Sequence, residues 1–251
     1  MHELKYVYLR VICNKSKIVQ KIVLPELADW LESAIDYYTI KDNSLKISNF
    51  LPKFDYYVGI KWKVGIIEDF PFEDIIAKAE SPNDLNSNRR IWRKFSQIYE
   101  DSDSGFTEIG SKELFEKFEI PFHEYKNDHR LPWNSRAIRV LDSKILESLS
   151  SLVNHLPEVS NLYLYWEDYY RYGLEDKLFK VSTEEFLNEI RETGYDASVY
   201  LFPESKNWCL MNLEDLGFNI FAFNENINIK IESLSSIEYF NLTYESEIYR
   251  Y

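Results

Sequence analysis

One stretch concentrates the residue types that do chemistry. Trp166-Glu167-Asp168-Tyr169-Tyr170-Arg171-Tyr172-Gly173-Leu174-Glu175-Asp176 puts four carboxylates and four large aromatic rings into a single connection. Adjacent carboxylates such as Glu167 and Asp168 are the residue type of glycoside hydrolysis. There the separation between the two groups sets the mechanism, and nothing local holds these two at a separation. Rigid rings among carboxylates are also what a protein-binding surface contains, since aromatics desolvate well and the acids meet a partner's Lys and Arg. The stretch is therefore read as a partner-binding surface built from Trp166, Glu167, Asp168, Tyr169, Tyr170, Tyr172, Glu175 and Asp176. The opposing reading has the rings folding back onto the core while the acids face water.

Three further groupings carry reactive side chains. His123, Glu124, Asp128 and His129 bring two imidazoles and two carboxylates together, donors suited to a metal or to acid–base work. Residues six apart do not share a helix face, so no helical ligand pair results, and a polar loop accounts for the pattern. Glu100 to Gly105, with Glu108 beyond, has the composition of a calcium loop. Counted from Glu100, Gly105 holds the required sixth position, but Ser111 stands twelfth where a bidentate Glu is needed. Arg89, Arg90, Arg93 and Lys94 lie on one predicted helix, where they can pair with carboxylates of the same chain rather than with nucleic acid.

The motifs that specify enzymes are absent from the sequence. It has no Gly-x-Ser-x-Gly elbow, no phosphate-binding Gly-rich loop and no Cys-x-x-Cys. No catalytic residue, cofactor or metal site is assigned. Cys13 and Cys209 are expected to be buried, reduced thiols of a cytoplasmic protein. Met1 to Arg10 lacks the basic start and apolar run of a signal peptide, and no apolar stretch approaches the roughly 20 residues that span a bilayer.

Charge points to the partner. The net charge is −13, and it is unevenly placed. Leu156 to Tyr251 holds 18 acids and 7 bases, against 24 acids and 22 bases before it. Such a field repels nucleic acid and anionic membrane and speeds encounter with a basic protein.

The elements that would position these residues form an α+β fold, with antiparallel sheet modules at both ends of the chain and helices packed between and against them. An N-terminal module spans 1–125 and a C-terminal acidic module 135–251, the irregular stretch Glu119 to Asn134 falling between them. The same order also suits one continuous domain. Lys5–Cys13 and Lys17–Leu24 predict a hairpin, Glu26–Tyr38 a helix behind Pro25, and Phe54–Val64 a strand broken or bulged near Gly59. Helices are predicted over Phe72–Ala79, from Ser81, over Lys112–Phe118 capped by Ser111, and up to His155. In the acidic module, Leu162–Tyr165 and Lys177–Val181 read as strands, and Ser182-Thr183-Glu184-Glu185 as a capping box. Ala197–Phe202, Asn207–Leu213 and Phe218–Phe223 form a predicted meander, followed by strands Ile227–Ile231 and Tyr239–Tyr244. At an offset of 156, Tyr6 meets Leu162, Tyr8 Leu164, Ile22 Leu178, and Trp30-Leu31 Phe186-Leu187; a diverged duplication and chance both explain this.

The segment Val199-Tyr200-Leu201-Phe202-Pro203-Glu204-Ser205-Lys206-Asn207-Trp208-Cys209-Leu210-Met211 resembles a hairpin of bacterial immunity proteins, of the polymorphic-toxin, contact-dependent inhibition type. In those a strand ending Leu-Phe passes through a polar turn to a Trp-bearing strand. The Asn, Ile, Lys and Tyr-rich usage also suits an AT-rich bacterial genome. The resemblance implies a protein that binds and blocks a toxin domain, often a basic one, and it transfers no binding residues. The expectation is thus a toxin-neutralising protein with a basic partner. A structural or regulatory self-associating protein is the alternative, with a hydrolase of unrecognised motif behind it.

Overall fold

The computed structural model describes residues 20–21, 25–36, 45–70, 72, 105–120, 131, 137–167, 178–193, 198–213, 216–227, 229, 231, 234 and 237–248. The described strands, in chain order, are β1 (Gln20–Lys21), β2 (Leu45–Lys46), β3 (Tyr56–Lys61), β4 (Val64–Ile66), β5 (Thr107–Ile109), β6 (Ile138–Val140) and β7 (Leu162–Trp166). They continue with β8 (Leu178–Val181), β9 (Val199–Pro203), β10 (Trp208–Asn212), β11 (Asn219–Phe223), β12 (Glu238–Leu242) and β13 (Glu247–Ile248). The described helices are α1 (Asp29–Glu32), α2 (Ser111–Lys117), α3 (Asp142–Asn154) and α4 (Thr183–Thr193). The class is α+β with antiparallel sheet. By contacts the chain forms two compact units, one of 1–60, 149–234 and 239–251, the other of 61–148 and 235–238.

The first unit is built on a sheet in the order β1-β8-β7-β9-β10-β11-β3-β12, which draws strands from both ends of the chain. β9, β10 and β11 form the predicted antiparallel meander. β8 and β9 both run antiparallel to β7, one on each side of it, and therefore run parallel to each other. Parallel strands need a crossover rather than a tight turn, and α4 supplies it. β1 lies antiparallel against β8, Gln20 opposite Lys180. The described parts of the predicted strands Lys17–Leu24 and Lys177–Val181 are β1 and β8.

Every residue of β7, β9 and β10 is buried, which is why LYLYW, VYLFP and WCLMN read as apolar runs without alternation. Register sorts their side chains onto two faces. Leu164, Leu201, Leu210, Phe221 and Val58 stand across from one another on one face. The other carries Tyr163 against Phe202, Tyr165 against Tyr200, and Met211, Ile220 and Gly59 beyond. Trp30 meets Phe202 edge-on at 5.1 Å and Phe54 at 6.1 Å, so the segment around α1 covers this aromatic face. Trp208, on the aliphatic face, donates its indole N–H to the Pro157 carbonyl just beyond α3 (3.1 Å). α3 buries Ile145, Leu149, Leu152 and Val153, and α4 buries Phe186 and Ile190, each at helical spacing.

Ser182 and Glu185 form the predicted capping box. The Ser182 hydroxyl accepts the Glu185 N–H (3.2 Å) while the Glu185 carboxylate accepts the Ser182 N–H (2.7 Å).

The second unit holds a small sheet, β5-β4-β6, with Val64 opposite both Ile109 and Val140. Phe70, Phe72, Leu114, Phe115 and Ile138 share its core. Here Ser111 is not the cap that its sequence position suggests. It is the first helical residue, Gly110 stands at the cap without a side chain, and the Ser111 hydroxyl donates to the Trp62 carbonyl. The Glu238 carboxylate serves the helix end instead, accepting the Lys112 N–H at 2.9 Å.

Other predicted elements also change. Phe54–Val64 is two strands, and the break falls at Trp62-Lys63, after which β4 joins the other sheet. Gly59 is not the break; a Cβ there would meet the Phe240 ring at 2.2 Å, so a side chain is excluded by packing. The helix predicted from Glu26 to Tyr38 is a 3-10 turn followed by the short α1. The Asp36 N–H then bonds to the Asn49 carbonyl (2.9 Å) rather than to a helical partner. Of the predicted strand Ile227–Ile231, the described residues form no ladder. The hairpin strand Lys5–Cys13, the helix predicted over Phe72–Ala79 beyond Phe72 itself, and the helix predicted from Ser81 lie outside the described residues. Among the described residues no helix is long and apolar enough to cross a membrane.

Candidate functional site

An open polar cleft lies at one end of the large sheet. Register brings Tyr56, Phe223 and Trp208 side by side, so the start of β3, the end of β11 and the start of β10 meet there. Two turns shape the rim. Before β10, Lys206 adopts φ 57° and its N–H returns to the Pro203 carbonyl (3.0 Å). After β11, the Ile227 N–H returns to the Asn224 carbonyl (3.0 Å). The segments are tied together by the Asn224 N–H on the Asn207 carbonyl (3.0 Å) and the Glu225 N–H on the Asp55 carboxylate (2.9 Å).

The cleft is a shallow depression, wide open to solvent and lined by Asp55, Asn207, Asn224, Glu225 and Asn226. The side-chain amides of these asparagines and the Glu225 carboxylate form no hydrogen bond with other described residues. Asp55, Glu225 and Asn226 are exposed, so their polar groups face solvent. Beside Asp55 the Tyr56 ring is 48% exposed and stacks on Phe223 at 5.3 Å. Phe223 stacks in turn on the buried Phe221 at 5.0 Å. A column of rings thus runs from the core to the surface and gives the exposed ring a rigid footing.

The surface expected from Trp166 to Asp176 is described only at its start. Trp166 ends the strand β7 and Glu167 follows it; they are 3% and 7% exposed, so these two are interior residues. The Glu167 N–H extends the ladder to the Ser198 carbonyl (3.0 Å), and its carboxylate accepts the Tyr200 hydroxyl (3.1 Å). Next to it the Tyr165 hydroxyl donates to Glu32 (3.0 Å), with the two tyrosine rings 5.9 Å apart. Buried carboxylates need such donors to offset lost hydration. Trp166 and Glu167 are therefore buried where β7 ends. Asp168, Tyr169, Tyr170, Tyr172, Glu175 and Asp176 lie outside the described residues.

His123, Glu124, Asp128 and His129 also lie outside them, as do Glu100 to Ser104 and the Arg89–Lys94 cluster. Among the described residues no group of three or more His, Cys, Asp and Glu side chains could hold a metal. Cys209 is a free, wholly buried thiol, and burial pushes its pKa far above the ordinary value; Cys13 is not among the described residues. In the second unit Glu108 holds Lys63 at 2.7 Å and Lys144 at 2.8 Å. Hydrogen bonds from both ammonium groups draw its carboxyl below the usual carboxylate range.

The cleft was not legible in the sequence. Asp55, Asn207 and the Asn224–Asn226 turn are polar singletons in separate connections, joined only by the antiparallel pairing of β3, β10 and β11. The one local sign was turn chemistry, Asn being a residue that tight turns favour. Compared with family models, curated proteins and solved structures, the chain matches none.

Proposed function

We propose that this chain is a protein-binding inhibitor, an immunity protein that neutralises a basic toxin domain through an acidic, aromatic surface. The observation that carries the reading is the cleft itself. Two carboxylates, three unengaged amides and an exposed, core-backed tyrosine stand on the ends of a rigid sheet. Its carboxylates are available to a partner's Lys and Arg, and the Tyr56 ring is already footed on Phe223 before binding. The net charge of −13 supports the same reading: it draws a basic protein in over a Debye length of about 10 Å and repels nucleic acid.

The test is a pull-down from the producing cell's extract, washed at low and then high salt, with co-expression of whatever is captured. A stoichiometric basic protein that arrests growth alone and is harmless beside this chain is the expected result. A captured protein whose toxicity the chain does not relieve, or no captured protein, refutes it.

A further inference from the structure

We draw no further inference here: the strongest candidate, the face of β12 that exposes Tyr239 and Asn241 at one end of the large sheet's described strand order, is a sheet face, and nothing in the structure shows what covers it.

Discussion

Replacing Gly59 by Ala tests the packing that holds β3, and with it the cleft. A Cβ at this position meets three Phe240 ring atoms at 2.2, 2.4 and 2.8 Å. Carbon atoms rest about 3.5–4.0 Å apart, so the ring must retreat by more than about 1 Å. It has little room to do so, being 9% exposed and packed edge-on against Phe218 at 5.1 Å. Overpacking of this kind costs about 1–3 kcal/mol. Loss of backbone freedom in the unfolded chain works the other way, by about 0.4–1 kcal/mol. Gly59→Ala is therefore expected to destabilise by about 1–2 kcal/mol net. Phe240→Ala alone should cost about 3–5 kcal/mol through the cavity it leaves. With that ring gone the clash is gone, so Gly59→Ala should be neutral or stabilising in the Phe240→Ala background. Urea unfolding of the four proteins of the cycle, followed by tryptophan fluorescence and far-ultraviolet dichroism, measures the coupling. A Gly59→Ala protein within about 0.5 kcal/mol of the parent, or strict additivity with Phe240→Ala, refutes the steric account.

Three other outcomes follow from local geometry. Ser182→Ala removes the hydroxyl that accepts the Glu185 N–H and should cost about 1 kcal/mol in urea unfolding, with Ser182→Thr close to the parent. Acid titration should separate two carboxylates. Glu108 has a lowered pKa, so its native state binds fewer protons than its unfolded state, and its stabilisation is lost as pH falls below the ordinary value of 4.5. Glu238 has a pKa raised by burial, against the lowering effect of its backbone N–H donors, so its contribution declines as pH rises above 4.5. Stability-versus-pH curves should thus lose a rising slope below that value in Glu108→Gln and a falling slope above it in Glu238→Gln. Finally, Cys209 should resist a thiol reagent in the native protein and react once the chain is unfolded in urea, which mapped labelling by mass spectrometry will show.

Much of the architecture was present in local sequence. Ser182 to Glu185 capped α4 as its spacing required, because a capping box satisfies backbone N–H groups within four residues and needs no tertiary help. The meander from Val199 to Phe223 was equally plain, its strands being apolar runs separated by polar turns. Where the outcome depended on a distant residue, local signals misled. Ser111 is a strong cap residue, yet Glu238, more than a hundred positions away, serves the helix while Ser111 bonds to Trp62. Gly59 looked like a break but marks the seat of Phe240.

The candidate site divides in the same way. Composition and charge by themselves determined that the chain is acidic and aromatic, since these are sums over residues and do not depend on how they are arranged. Which aromatic reaches solvent is not such a sum. Trp166 and Glu167 stand in a connection rich in charge, but Trp166 ends a central strand and Glu167 follows it, and pairing with β9 draws both inside. Tyr56 lies in an apolar strand, but it comes at the sheet's end, where its ring finds Phe223 on one side and water on the other. Asp55 and Glu225, separated by 170 residues, share a cleft only because β3 and β11 pair. Backbone hydrogen bonding across a sheet joins residues regardless of their distance along the chain. A site made at strand ends was therefore decided by the tertiary structure alone.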